Sequence, residues 1–228
     1  MGNDKSGKAV TIALILIIIG ILGALGYFGF QLLKEKNTKE AYTNAANEFE
    51  DMIISSKANG KSNGNLNLST IDAPEKSKKM MDGYEIIGTI EIPKIKLKSA
   101  ILEKTTSRTL EIAISLMYTT SGLNKPGNTV LYGHNYRNSL FFSRNDELVK
   151  GDIVTVLDKE GNKITYEVYD MKTTTSTDTS FYSRTADDTG GICELTLSTC
   201  TDDADKTDRR YIVFCKEKER ENVNEESE

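Results

Sequence analysis

Residues 9–33 carry no charged side chain, and the run opens Ala9-Val10-Thr11-Ile12-Ala13-Leu14-Ile15-Leu16. At about 1.5 Å per residue, a helix of this length crosses a hydrocarbon core of roughly 30 Å. The run outlasts the apolar region of a signal peptide, and Gly23-Ala24-Leu25-Gly26 in its middle makes a poor cleavage site. It therefore reads as an uncleaved anchor. Lys5 and Lys8 precede it and Lys34, Lys36 and Lys39 follow it, a distribution that favours neither orientation. Beyond the anchor, Ala41, Ala45, Phe49, Met52 and Ile53 recur at a spacing of three to four and predict a helical stalk over 34–54. Residues 55–82 are polar, hold two Asn-Gly pairs and read as a linker.

The period changes at Tyr84. Ile86, Gly88, Ile90 and Ile92 alternate with Glu85, Ile87, Thr89 and Glu91, a strand closed by Pro93. Further strands are predicted over Lys96–Leu102 and Asn128–His134, and a short helix over Leu110–Ile114. Ile153–Leu157 and Lys163–Tyr169 flank the turn-prone Asp158-Lys159-Glu160-Gly161-Asn162 and form a hairpin. The Thr/Ser/Asp-rich stretch Lys172–Asp188 reads as a loop. Cys193–Cys200 and Arg210–Lys216 read as the last strand pair, and the charged residues from Glu217 onward as a frayed tail. Many short strands at near-regular spacing predict a mainly β fold, a barrel or sandwich. The chain thus divides into 1–8, an anchor at 9–33, a stalk and linker at 34–83, a folded domain at 84–216 and a tail at 217–228.

Composition narrows the function. The 228 residues suffice for one domain with appendages, and a net charge of −5 without a basic patch argues against a nucleic-acid partner. One histidine and three cysteines without CxxC spacing leave no structural zinc pattern, so no metal site is expected.

Strand parity sorts the cysteines. Cys193, Leu195, Leu197 and Thr199 share one face of the strand; Glu194, Thr196, Ser198 and Cys200 share the other. Cys193 and Cys215 fall on the core face, either as small hydrophobes or as a disulfide across the hairpin. Cys200 stands at a strand exit on the polar face, within reach of a substrate. If the next strand pairs so that Arg210 lies near Cys200, both project to one side and Arg209 to the other, although Ile212 and Phe214 blur that second pattern. A strand-end cysteine or a surface histidine taken singly carries no chemistry. Cys200 with His134, which follows Gly133 at the end of a strand, supplies a thiol nucleophile and an acid/base of ordinary pKa about 6.5. Arg210 adds a fixed cation for an oxyanion.

With these residues assembled, the chain resembles the sortases, the cysteine transpeptidases of Gram-positive surfaces. Thr196-Leu197-Ser198-Thr199-Cys200 is similar to the family's TLxTC signature, Tyr132-Gly133-His134-Asn135 to its GH element, Arg210-Tyr211-Ile212-Val213 to its Arg followed by an apolar strand, and Gly88-Thr89-Ile90-Glu91-Ile92-Pro93-Lys94-Ile95 to its opening strand. The resemblance covers residues 84–216. It implies a closed eight-stranded β-barrel behind one N-terminal transmembrane helix, with the N-terminus inside the cell membrane and the catalytic domain outside. It also implies a reaction. A sorting signal of LPxTG type is cut after its Thr by Cys200 through a thioacyl intermediate, which an amine from a peptidoglycan precursor or a pilin lysine resolves. His134 acts as acid and base, and Arg210 holds the oxyanion. Leu197, Ser198, Thr199 and Asn135 are the expected substrate-binding residues. Ser198 and Asn135 resemble class B, whereas the short stretch between His134 and Cys200 resembles the shorter classes such as D. By the same resemblance the Lys172–Asp188 loop reads the substrate, and its Asp178, Asp187 and Asp188 are candidate calcium ligands, although a solvated loop without cofactor is the expectation. Two other readings stay open: a membrane-bound cysteine peptidase that uses water, and a non-catalytic tethered binding module. The linker over 55–82 is a candidate lid for the groove.

Overall fold

Strand β2 (Tyr84–Ile92) is hydrogen-bonded on both sides, and this closes the sheet. Next in chain order come β3 (Leu97–Leu102), β4 (Ile114–Thr119), β5 (Gly127–Tyr132), β6 (Ile153–Asp158), β7 (Asn162–Thr175), β8 (Cys193–Cys200) and β9 (Arg209–Asn222). In space they run β2-β3-β4-β5-β8-β9-β7-β6, and β6 pairs back onto β2. A two-residue strand, β1 (Met80–Met81), adds to β2 outside this ring. The result is the expected closed eight-stranded barrel. Closure requires Gly88: a Cβ there would sit 2.5 Å from the carbonyl oxygen of Leu157 and 2.6 Å from Leu123 Cδ2.

The computed structural model describes residues 3–60, 78–201 and 208–222. Most of the linker expected at 55–82, and with it the idea of a lid, lies outside the described residues. Two units divide the chain, Met1–Lys39 and Glu40–Glu228. Helix α1 (Asn3–Gly60) begins in the first. There Leu14, Leu16, Ile17 and Ile19 are each more than half exposed, an uncovered apolar surface that water does not tolerate over such a length. Among the described residues this is the one helix long and apolar enough to cross a membrane.

In the second unit the last turns of α1 pack on the barrel. Tyr42, Ala46, Phe49 and Ile53, at spacings of four, three and four, are buried in the core with Ile90, Ile92 and Ala100. The stripe differs from the expected one at its start, where Tyr42 is buried and Ala41 is exposed. Polar contacts fix the dock: Thr43 Oγ1 donates to the Lys98 carbonyl (3.0 Å), Glu50 accepts from Thr89 Oγ1 (2.9 Å), and Glu50 pairs with Lys98 at 2.7 Å.

The predicted hairpin stands, with Leu157 opposite Lys163 and the turn held by Asn162 N–H donating to Asp158 Oδ1. Four expectations shift. The short helix is α2 (Ser107–Ile112), not Leu110–Ile114, because Thr106 and Thr109 form a reciprocal capping box that starts it earlier. His134 lies past the end of β5 rather than in the strand. The loop expected from Lys172 begins only after Thr175, since Lys172–Thr175 pair with Ile212–Arg209. The tail expected to fray at Glu217 is strand as far as Asn222, paired with Asn162–Tyr166 and laced by Lys218–Glu167 at 2.6 Å. Opposite charges across neighbouring strands make a charged sequence compatible with a ladder.

The buried helix stripe carries a measurable share of the stability. Phe49→Ala is expected to lower the unfolding free energy by about 3–5 kcal/mol, whereas Glu91→Ala, at an exposed strand position, changes it by less than about 0.5 kcal/mol. Chemical denaturation of the two variants in detergent checks this, and equal midpoints would show that the helix does not belong to the folded unit.

Candidate active site

β8 lies between β5, which runs parallel to it, and β9, which runs antiparallel. The β9 register sets Cys200 opposite Arg210, the pairing under which strand parity puts both on one side. The β5 register sets Tyr132 opposite Ser198, so Tyr132 stands diagonally from Cys200 across the same sheet face. The side chains meet. Tyr132 Oη lies 3.1 Å from Cys200 Sγ, and the Arg210 guanidinium sits 5.7 Å from the centre of the Tyr132 ring. Cys200 is partly exposed at the strand exit, as expected.

The two residues that flank His134 are tied to the end of β8. Thr199 Oγ1 donates to the Gly133 carbonyl (2.8 Å), and Gly133 N–H donates to the Ser198 carbonyl (3.2 Å). Asn135 Nδ2 donates to the Cys200 carbonyl (3.1 Å). Gly133 is required by close approach, since a Cβ would fall 2.6 Å from Ile114 Cδ1 and 2.9 Å from Phe142 Cδ2. On its other side the His134 ring packs on Tyr136 (4.8 Å between centroids), Tyr136 on Phe141 (5.9 Å), and Phe141 on Tyr42 of α1 (5.3 Å). The docked helix therefore ends a continuous aromatic chain that begins at the histidine.

Burial pushes the His134 pKa below its ordinary 6.5, and the carboxylate of Glu111 on α2 opposes that shift. The free imidazole is thus largely neutral near pH 7 and ready to accept a proton. Burial pushes the Tyr132 hydroxyl well above its ordinary range, with the contact to Cys200 next in importance, so the phenol stays protonated.

A cavity of about 200 Å³ reaches Cys200 from the sheet face of Thr199, Tyr211 and Thr173, opposite the face that carries Tyr132 and Arg210. Asn135 and Thr199 line it together with Ser143, Asp146, Thr173 and Tyr211. Two of the expected substrate-binding residues thus border this space. Leu197 and Ser198 do not: they are 0% and 1% exposed, Leu197 inside the apolar core and Ser198 opposite Tyr132 in the ladder. Cys193 and Cys215 are free thiols. Cys215 lies opposite Leu195 in the ladder, which excludes the disulfide.

Ile212 and Phe214, which blurred the parity of β9, form a second small apolar cluster with Phe181 on the outer face. The loop after β7 covers that face. In it Asp178 accepts from Lys172 Nζ (3.0 Å), Thr174 Oγ1 (2.7 Å) and Ser180 N–H (3.1 Å), while Asp188 accepts from Thr185 N–H (2.7 Å). These carboxylates hold the loop's own shape, and among the described residues no three acidic, histidine or cysteine side chains gather as a metal site.

Tyr132 and the aromatic chain were not singled out by sequence reasoning. Tyr132 sits in a recognised element, but its role depends on the parallel β5–β8 pairing, which no local pattern reveals.

Comparison with known proteins points one way. The model of the Sortase domain family matches residues 90–218. The chain is 30% identical to Sortase D of Bacillus subtilis (strain 168) over 192 residues, 83% of this chain and 89% of that protein. It is 29% identical to Sortase A of Bacillus anthracis over 152 residues, 65% of this chain and 69% of that one. Among solved structures, sortase A of Listeria monocytogenes aligns with a TM-score of 0.54 at 25% identity, covering 62% of this chain and 92% of that chain. A Clostridium perfringens Sortase D5 transpeptidase aligns at 0.56 and 22% identity, covering 80% and 99%, a likeness of fold.

The chain has a single histidine, so one imidazole resonance reports the site. Its NMR titration is expected to have a midpoint below 6.5, and Glu111→Gln to move it lower still by removing the opposing charge. Because the unfolded histidine binds its proton more readily, this group costs stability as the pH falls through about 6.5. A midpoint at or above 6.5 would contradict the burial assigned to His134.

Proposed function

We propose a reaction that starts from the family: this chain belongs to the sortases, which are cysteine transpeptidases, and Cys200 is the nucleophile that carries their chemistry here. Members of the family act on sorting-signal proteins and amine nucleophiles at the membrane. For this chain we assign an LPxTG-like sorting signal, cut after its Thr. The observation that carries the assignment is the ladder position of Cys200 opposite Arg210, with both neighbours of His134 bonded to the same strand end.

His134, neutral in the free enzyme, takes the proton of the Cys200 thiol. The thiolate adds to the carbonyl carbon of the Thr, and Arg210 stabilises the oxyanion that forms. Collapse of the tetrahedral intermediate breaks the C–N bond, and His134 returns its proton to the leaving amine. A second amine, from a peptidoglycan precursor or a pilin lysine, gives up a proton to His134 as it attacks the thioester, and Cys200 is released. Asn135, bonded to the Cys200 carbonyl, and Thr199, bonded to the Gly133 carbonyl beside His134, are assigned to position the reacting groups.

The exposed apolar turns of α1 support an anchor in the cell membrane, spanned once, with the N-terminus inside and the catalytic domain outside. The site requires no cofactor for this chemistry. The carboxylates of Asp178 and Asp188 are committed to neighbouring donors, which supports a loop ordered without calcium.

Mass spectrometry of the protein incubated with LPxTG-type peptides, with and without triglycine, tests the assignment. A thioester on Cys200, absent in Cys200→Ala and converted to a triglycine-ligated product, is expected. Hydrolysis that proceeds without transfer to any amine would favour a peptidase, and unchanged function in Cys200→Ala would favour a binding module.

A further inference from the structure

The thiolate that forms when His134 takes the proton of Cys200 needs stabilising. Tyr132 faces it from β5 and Arg210 from β9, and Tyr182 of the loop after β7 acts on Tyr132. Glu111 is the charged group that acts on His134. His134 is depressed by burial, so in the free enzyme it is a proton acceptor and not a standing cation. The hydroxyl of Tyr132 is the group placed on the sulfur itself.

We propose that Tyr132 is a further catalytic residue, whose hydroxyl donates a hydrogen bond to the Cys200 thiolate 3.1 Å away and so stabilises the nucleophile. While Cys200 is a thiol, either atom can donate in this contact. Once the thiol proton has passed to His134, only the phenol can. A hydrogen bond to an ionised acceptor is about twice as strong as one between neutral groups, so the contact strengthens as the nucleophile forms. The geometry is built in. Tyr132 is 7% exposed, its strand position is fixed by the pairing with Ser198, and its ring is held beneath the Arg210 guanidinium. The O–H bond stays intact throughout. As the sulfur's electron pair forms the C–S bond, the charge moves to the substrate oxygen and the Tyr132 hydrogen bond weakens, which releases the sulfur into the thioester. Arg210 takes over the charge at that point. The role deepens the reaction assigned to Cys200 and rests on that reading for its catalytic consequence.

The test follows alkylation of Cys200 by iodoacetamide against pH, read by mass spectrometry of the peptide containing it, in the full chain and in Tyr132→Phe. The phenyl ring keeps the packing under Arg210 and loses only the hydroxyl. The midpoint of alkylation is expected to rise by about 1 pH unit or more, with little change in melting temperature. Transfer of a sorting peptide to triglycine near pH 7 should then fall by about tenfold. Replacing Tyr132 by 3-fluorotyrosine, a stronger donor, should lower the midpoint. A midpoint unmoved by either replacement overturns the role, whatever happens to turnover. Alkylation needs no sorting peptide, so a shifted midpoint without any transfer would count against the assigned substrate and leave the role of Tyr132 standing.

Discussion

The site depends on one strand being held on both sides. β8 cannot slide along its axis without breaking a parallel ladder to β5 and an antiparallel ladder to β9 together. A slip of one residue would also turn Leu195 and Leu197 out of the core and Glu194 and Thr196 into it. The buried apolar face of β8 therefore sets the register, and the register sets the chemistry. Cys200 meets Arg210 across one ladder and Tyr132 across the other, while the carbonyls and side chains at the strand end bind Gly133 and Asn135 on either side of the histidine.

The histidine needs this external hold because it lies beyond the end of β5, where no ladder fixes it. Three things take its place. A glycine lets the backbone come against Ile114 and Phe142, hydrogen bonds join its neighbours to β8, and an aromatic chain runs through Tyr136 and Phe141 to Tyr42. The last of these links the site to the docked turns of α1. Burial that orders the imidazole also depresses its pKa. The same packing thus holds the ring in place and favours its neutral form.

Much of this was legible in the sequence, for identifiable reasons. The strand of Ile86, Ile90 and Ile92 and the hairpin at Asp158–Asn162 follow from periodicity and turn chemistry alone. The preference for Arg210 over Arg209 follows from a count of two along a strand. Features that depend on distant partners were not legible. Tyr42 is an aromatic residue with a hydroxyl in a polar stretch, and only the barrel surface beneath it makes it core. The residues from Glu217 onward look like a frayed tail until β7 supplies opposite charges. Ile212 and Phe214 contradict a one-sided strand until Phe181 covers them. Leu197 belongs to the signature motif, yet its side chain is wholly internal, so membership of a motif does not by itself mean contact with substrate.

The proposed reaction requires His134 and Cys200, far apart in sequence, to share one reacting position. Treatment with 1,3-dibromoacetone, which alkylates a thiol and then a second nucleophile within a few ångströms, addresses this directly because the chain has one histidine. Digestion and mass spectrometry are predicted to recover the peptides containing Cys200 and His134 joined by a single three-carbon bridge, with loss of two bromides. Alkylation of Cys200 with His134 left unmodified at completion would place the imidazole outside the site and contradict the account.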